Sequence, residues 1–415
     1  MNGLRTHENR AMIILCLAGG VAALDAQALF YLSPFVTRDL AITNSQLGVL
    51  SAAVLVTWAL SGFATSVLSD QLGRRKQYVI AAFVLFGLFS FMSGIAKSFL
   101  MLFAARLLIG VAEGPIVPLT QSIMMDESSP HRRGVNMGVV QSFGTQLVGS
   151  SLSPILLVYI ATAFDWRRSF FIAGIPGFCI ALIVAYFVRE PQRIRKPTRP
   201  GGGLARAQLQ VRDLLRHRNI RLCALLSVFL NAWYFGLLTF LPLFLVRLRH
   251  FAPTEMSYVM ASAGIGAMVS AVVVPLLSDR FGRRPIMMVF AIVGAIGPLG
   301  ALVPHASLVF IMTLIFLGSW AHGLLPLCIG TVPLESVPTR DTAACGLTML
   351  VGMICGGIAG PGLFGYLADA FDLGVPLWAC ACAAAIAAII CIKLDETAPA
   401  IVRTSAARLQ TTALH

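Results

Sequence analysis

Three ionisable side chains stand inside long apolar runs: Asp25 in Ala22-Ala23-Leu24-Asp25-Ala26-Gln27, and Arg106 and Glu113 together in a second run. An α-helix turns once in about 3.6 residues, so a separation of seven places Arg106 and Glu113 two turns apart on one face. A guanidinium in a hydrocarbon setting is costly and persists where it faces a carboxylate or a wet cavity. Asp25, on a separate run, is the expected opposing charge. A carboxyl there is disfavoured as an anion by desolvation and favoured by Arg106, so its proton affinity can change as the protein changes shape. That makes Asp25, Glu113 and Arg106 a candidate proton-coupling site; a static ion-pair network that fixes helix packing is the alternative.

A second group of residues could hold a small molecule. His322 can titrate near neutral pH or give a hydrogen bond to a carboxylate. Trp320, Asn231, Trp233 and Tyr234 offer aromatic faces and an amide, and Gln27, Tyr31, Gln141 and Gln146 are further polar groups in apolar surroundings. Each also has a packing explanation. Nothing looks like a phosphate loop or a hydrolytic triad. The nine cysteines are scattered, with no Cys-x-x-Cys and no histidine spacing suited to zinc, so neither a metal nor a cofactor is expected.

The elements that must position these groups are membrane helices. Of 415 residues, 57% are apolar and 12% charged, against about 25% charged in a soluble domain. Roughly twenty apolar residues cross a bilayer as a helix, and twelve such segments can be marked. Six lie near 11–36, 45–69, 77–96, 98–124, 133–162 and 168–188; six more near 218–247, 255–278, 285–303, 306–333, 341–369 and 374–394. The basic residues Arg5 and Arg10 before the first segment resemble a signal peptide, but the run lacks a convincing cleavage site and contains Asp25, so it reads as a retained first helix.

Between the sixth and seventh segments the chain is rich in Arg, Pro and Gly and cannot bury a core, which predicts a linker. The expected division is 1–188, a first six-helix bundle; 189–217, a cytoplasmic linker; and 218–415, a second bundle with a short tail. The formal net charge of +13 does not mark a nucleic-acid surface, because the basic residues lie between apolar segments. Assigning the termini and even-numbered loops to one side gathers 24 of the 31 basic residues there; Arg38, Lys97, Arg167, Arg168, Arg247 and Arg249 fall opposite, and Arg106 within a span. By the positive-inside rule both termini are expected in the cytoplasm.

The halves repeat. Leu68-Ser69-Asp70-Gln71-Leu72-Gly73-Arg74-Arg75 recurs as Leu277-Ser278-Asp279-Arg280-Phe281-Gly282-Arg283-Arg284, 209 residues on. At that offset Ala112-Glu113-Gly114 falls on Ala321-His322-Gly323, and Asp126 on Glu335. Duplicated six-helix halves are a known route to alternating-access transporters. The repeated motif reads as a conformational latch (Asp70, Gly73, Arg74, Arg75; Asp279, Gly282, Arg283, Arg284), expected to pair neighbouring helices when the cavity opens outward and to separate when it opens inward. Gly110 and Gly114, one turn apart, permit close helix packing, and glycines and prolines crowd the fifth and eleventh segments.

These motifs together resemble the major facilitator superfamily over essentially the whole chain. Asp25 with Pro34, Arg106-Leu107-Leu108-Ile109-Gly110-Val111-Ala112-Glu113, Asp165-Trp166-Arg167-Arg168-Ser169-Phe170-Phe171 and Glu396-Thr397-Ala398-Pro399 are similar to the anion:cation symporters, proton-coupled carriers of organic anions. The resemblance implies an all-α fold of twelve helices in two pseudo-symmetric bundles, with Asp25 and Glu113 as the protonation sites and Arg106 modulating them. That family usually follows the first-helix Asp with Arg to bind the anion; here Ala26 stands instead, so Arg106 or His322 must serve, and the helix resembles the related aromatic acid:proton symporters.

The expected function is proton-coupled import of a small organic anion, an aromatic or sugar-derived carboxylate, by a monomer in a bacterial inner membrane. The partners are that anion, protons and lipid. Drug or metabolite efflux by proton antiport is the competing expectation, although Gly149-Ser150-Ser151-Leu152-Ser153-Pro154 only loosely approaches the glycine-proline pattern of exporters. A membrane-bound enzyme would want a catalytic constellation that is missing from the sequence.

Overall fold

The computed structural model describes residues 2–72, 75–129, 132–188, 213–337 and 342–398. Twelve helices among them are long and apolar enough to cross a membrane. They are α1 (Glu8–Asp39), α2 (Asn44–Thr65), α3 (Arg75–Gly94), α4 (Phe99–Glu127), α5 (Thr145–Ala163) and α6 (Trp166–Phe187), then α7 (Arg218–Arg247), α8 (Pro253–Phe281), α9 (Arg283–Leu302), α10 (Leu308–Ser336), α11 (Ala344–Ala370) and α12 (Val375–Ile392). The expected segments match closely, and the fifth is helical from Arg133, through Arg133–Gly138 and wide π turns over Val139–Phe143 and Thr145–Leu152. No strand occurs among the described residues. Without water to satisfy backbone groups, a spanning chain closes its hydrogen bonds within helices.

The helices form two six-helix bundles. Within the first, Gly110 and Gly114 bring α4 onto the backbone of α2: a Cβ on either would strike Thr57 and Val54, or Ser61 and Trp58. Ser61 Oγ donates to the Gly110 carbonyl at 3.1 Å across this contact. In the second bundle Gly352 and Gly356 seat α11 against Ser227 and Val228 of α7. The glycine expectation for α4 and α11 thus corresponds to direct backbone approach.

Four helices are irregular at corresponding places in the two halves. In α4 the helix breaks after Glu113, before Pro115; in α10 a tight turn over Ser319–Gly323 precedes Pro326. Proline has no N–H to continue the ladder, so the turn before it must be re-formed. In α5 and α11 wide π turns over Thr145–Leu152 and Gly352–Ile358 run up to Pro154 and Pro361. A further break in α1, at Gln27, has no proline at the break; the Phe30 N–H donates to the Gln27 carbonyl at 3.0 Å.

The halves pack on each other through α2 with α11, α5 with α8, and α1 with α7. This packing gathers toward the end of the molecule that holds the α1–α2 and α11–α12 connections. There Asp369 of α11 accepts from the backbone N–H groups of Asn44 and Ser45 at 3.0 and 2.7 Å and from Ser45 Oγ at 2.5 Å. One carboxylate thereby caps the first turn of α2 from the other half. Arg247 donates to Thr37 Oγ1 at 2.7 Å nearby. No comparable packing joins 116–138 to 324–351 at the opposite end among the described residues.

Candidate functional site

Asp25 sits one turn before the α1 break's continuation, and Arg106 and Glu113 lie along α4 up to its own break. All three are buried, Asp25 and Arg106 with no exposure at all. Arg106 Nη2 lies 3.7 Å from Asp25 Oδ2, longer than the roughly 2.7–2.9 Å of a charge-assisted hydrogen bond. Each group has a neutral partner instead. Ser90 of α3 donates to Asp25 Oδ1 at 2.6 Å, and Arg106 Nη2 donates to Ser93 Oγ at 2.7 Å. The guanidinium carbon stands 4.8 Å from the centre of the Phe170 ring. Arg106 Nε and Nη1, Asp25 Oδ2 and Glu113 Oε1 have no hydrogen-bond partner among the described residues.

The sequence-based convergence of these three groups therefore holds in space, with Glu113 joined through its field rather than by contact: Asp25 and Arg106 are its electrostatic neighbours. The arrangement is under-satisfied. A buried ion pair is sustained by close geometry and extra hydrogen bonds, and here both are partial. Such a site changes its charge balance when water or a proton reaches it.

A separate cavity lies between the halves, enclosing about 460 Å³ of empty space with its open mouth included. The first half contributes a polar wall of Gln27 and Tyr31 from α1 and Gln146 and Ser150 from α5. Tyr31 Oη donates to Gln27 Oε1 at 2.5 Å, and Gln27 Nε2 donates to Ser150 Oγ at 3.2 Å, so these three are wired to one another. The second half contributes Leu237, Leu238 and Leu241 of α7 and Met260 of α8, flanked by Trp233, Tyr234 and His322. The Tyr234 and His322 rings lie 5.0 Å apart. Trp233 Nε1 is already committed to the Gly294 carbonyl at 2.9 Å.

Of the expected binding residues, Gln27, Tyr31, Trp233, Tyr234 and His322 line the cavity. Arg106 does not, and remains within the first bundle. Asn231 is turned to its own helix, its Nδ2 donating to the Ser227 carbonyl at 2.8 Å. Trp320 stacks on Phe290, ring centres 5.7 Å apart, away from the cavity lining. The side chain of Gln141 lies outside the described residues, as do Gly73, Arg74 and the side chain of Asp70. Ser150, Ser319 and the apolar wall were not anticipated; two polar residues spaced as Gln146 and Ser150 on a helix already carrying Gly149 were the available signal.

The repeated motif forms ion pairs within each half. Arg75 meets Asp126 at 2.8 Å, joining α3 to α4. Arg283 meets Asp279 at 2.5 Å and Glu335 at 3.0 Å, and donates to Ser278 Oγ at 2.7 Å. Glu396 accepts from the backbone N–H groups of Arg283 and Arg284 at the start of α9, and Thr397 donates to Glu335. Gly282, at φ 103°, makes the turn that only glycine takes without strain. These pairs are made at the end where the halves are least packed together. Asp126, the partner of Arg75 named above, and Asp279, Glu335 and Ser278, those of Arg283, each lie in the same half as their arginine.

The comparisons agree with this architecture. The sequence pattern of the Major Facilitator Superfamily matches residues 15–355 and 249–414. The chain is 27% identical over 379 residues to a hexuronate transporter of Bacillus subtilis (strain 168), covering 86% of this chain and 87% of that one. It is 26% identical over 403 residues to a gentisate transporter of Corynebacterium glutamicum, covering 90% and 87%. Among solved structures it is similar to a bacterial homologue of the human lysosomal transporter Spinster in an inward-facing, unoccupied conformation. That match has a TM-score of 0.73 and 19% identity, over 93% of this chain and 95% of that one. The chain therefore belongs to the Major Facilitator Superfamily, a multi-pass membrane transporter and not an enzyme.

Proposed function

We propose that the chain is a proton-coupled secondary transporter that imports a small organic anion by alternating access. The observation that carries the reading is the buried, loosely paired Asp25–Arg106 couple within the first bundle. Asp25 precedes Gln27, a cavity-lining residue at the break of α1, by two positions. Gaining or losing a proton at Asp25 changes its attraction for Arg106 and the geometry of that break together, which is the linkage symport needs. Glu113, in the field of the pair, is the second proton carrier.

The division into 1–188 and 218–415 about a linker at 189–217 belongs to this proposal, as do cytoplasmic termini, a bacterial inner membrane and a monomeric state. On that orientation the end closed by Asp369 is the outer one, and the conformation is inward-facing. Transporters of a hexuronate and of gentisate among the relatives support a carboxylate substrate. Among the residues lining the cavity there is no carboxylate to receive a cationic drug, which counts against efflux.

The test is uptake into proteoliposomes under an imposed pH gradient, with a panel of aromatic carboxylates, sugar acids and dicarboxylates. Saturable accumulation of one acid, abolished by collapsing the gradient, is expected. Accumulation of every effective acid to the same level with and without the gradient would rule out coupling.

A further inference from the structure

Ser90 of α3 is fully buried between Asp25 and the backbone of α6. Its Oγ stands 2.6 Å from Asp25 Oδ1 and 2.8 Å from the Phe170 carbonyl oxygen. A hydroxyl has one proton to give and can accept besides. Given to Asp25, that proton leaves Ser90 Oγ and the Phe170 oxygen facing each other with no hydrogen between them. Given to Phe170, it requires the hydrogen of the Asp25 contact to come from Asp25. The surroundings of Asp25 favour the second arrangement. Its Oδ2 has no hydrogen-bond partner among the described residues, and Arg106 Nη2, 3.7 Å away, donates to Ser93 Oγ at 2.7 Å. A buried carboxylate with one hydrogen bond and its cation out of bonding distance is costly. A carboxylic acid that donates through Oδ1 leaves only a neutral carbonyl oxygen unpaired.

Resting on the symport reading above, we propose that Asp25 carries its proton in this conformation and that Ser90 is a positioning residue, the hydroxyl that passes the protonation state of Asp25 to α6. In the acid form Asp25 donates to Ser90 Oγ, and Ser90 donates to the Phe170 carbonyl. When the proton leaves for water, the Ser90 hydrogen turns to the carboxylate, the Phe170 carbonyl gives up that bond, and Arg106 gains an anion to close on. Ser90 holds one proton throughout; Asp25 holds one or none. Phe170 meets both sides of the couple, its carbonyl at Ser90 and its ring centre 4.8 Å from the Arg106 guanidinium carbon. The helix that bears it therefore feels the change from two directions. Among the described residues the charged groups in electrostatic reach of Asp25 are Arg106 and Glu113, both on α4. The α3 and α6 helices meet beside it at Ser90 and Phe170, and α5 packs on the residues just before it with Gly149 and Ser153, none of which titrates.

The test is infrared difference spectroscopy of the full chain in lipid vesicles, recorded as the pH is raised from mildly acidic to alkaline, in water and in heavy water. The wild type should show a carboxylic-acid C=O band that moves on deuteration and is missing from Asp25→Asn. In Ser90→Ala the acid loses its acceptor, so the band should move to higher frequency. Ser90→Thr, which keeps a hydroxyl, should bring it back toward the wild-type position. A merely structural role for Ser90 would lower stability and leave the band in place. If Ser90→Ala does not fold, Ser90→Cys, a weaker hydrogen-bonding group, should move the band the same way by less. The absence of any acid band that depends on Asp25, a band unmoved by loss of the Ser90 hydroxyl, or one displaced as far by Thr as by Ala overturns the proposal. These spectra are read without substrate, so uptake that proves independent of protons removes the symport reading separately.

Discussion

The breaks of α4 and α10 occupy equivalent places in the two halves and carry opposite kinds of chemistry. At the α4 break Glu113 is buried, within electrostatic reach of Arg106 and Asp25 and outside the cavity lining; at the α10 break His322 lines the cavity next to Tyr234. One backbone device, a turn re-formed ahead of a proline, has been filled twice with different side chains. The first filling gives a buried, under-satisfied charge cluster, and the second a mostly apolar wall with one imidazole ring. On the proposed function, the duplicated scaffold keeps proton handling in one half and places much of the ligand surface on the other, with the cavity between them as the point of exchange.

The largest effect expected from breaking this comparison is on coupling. Asp25→Asn and Glu113→Gln should each abolish gradient-driven accumulation, a loss of about 100-fold or more, whereas exchange of internal for external substrate persists. Measuring both fluxes separates the outcomes, and accumulation unchanged in both variants would end the proton role. The same substitutions made in the second half, as His322→Gln, should alter substrate affinity and leave the proton dependence of residual uptake in place.

Next in size is the pair itself. Arg106→Leu leaves Asp25 buried opposite an apolar group, and removing one partner of a buried pair costs about 3–5 kcal/mol. Adding Asp25→Asn should restore much of that stability. Thermal unfolding of the two single variants and the double variant in detergent checks the cycle.

Smaller effects belong to the repeated motif. Arg283, 8% exposed and bonded to Asp279, Ser278 and Glu335, should lose about 1–3 kcal/mol on replacement by Ala. Arg75→Ala, at a pair open to water, should lose less than about 1 kcal/mol. Urea or thermal unfolding ranks them; equal losses would contradict the difference in burial. Because these partners share a half, the variants should slow cycling through local softening and leave substrate affinity nearly unchanged.

A comparable effect concerns the contact between halves. Asp369→Ala removes the cap on α2, worth about 0.5–2 kcal/mol, and so should shift the balance of closed and open forms at that end by about twofold to thirtyfold. Spin labels on Lys97 and His305, with the exposed Cys179, Cys355 and Cys382 replaced by Ser, report the separation of the halves there. Asp369→Asn, which keeps an acceptor, should shift it less.

Much of this was legible in the sequence. Twelve spans follow from runs of apolar residues, and the 209-residue repeat pairs Glu113 with His322 before any coordinate is known. Asp25, Arg106 and Glu113 stand out because charge in a membrane helix is rare. The leucine wall did not, since an apolar residue reads the same whether it faces lipid, a neighbour or a cavity. Trp320 falls outside the cavity lining for a related reason. Two positions from His322, it points to a different side of the turn, and its ring packs on Phe290. Asn231 shows the limit for polar groups too, because its amide is absorbed by its own helix.

The most direct test of proton-coupled import follows internal pH and labelled substrate in the same vesicles, for the wild-type chain and Asp25→Asn. The account predicts proton entry in step with substrate entry in the wild type, and substrate exchange without net proton movement in the variant. Proton release from the vesicles as substrate enters, or matched proton entry that survives Asp25→Asn, would contradict it.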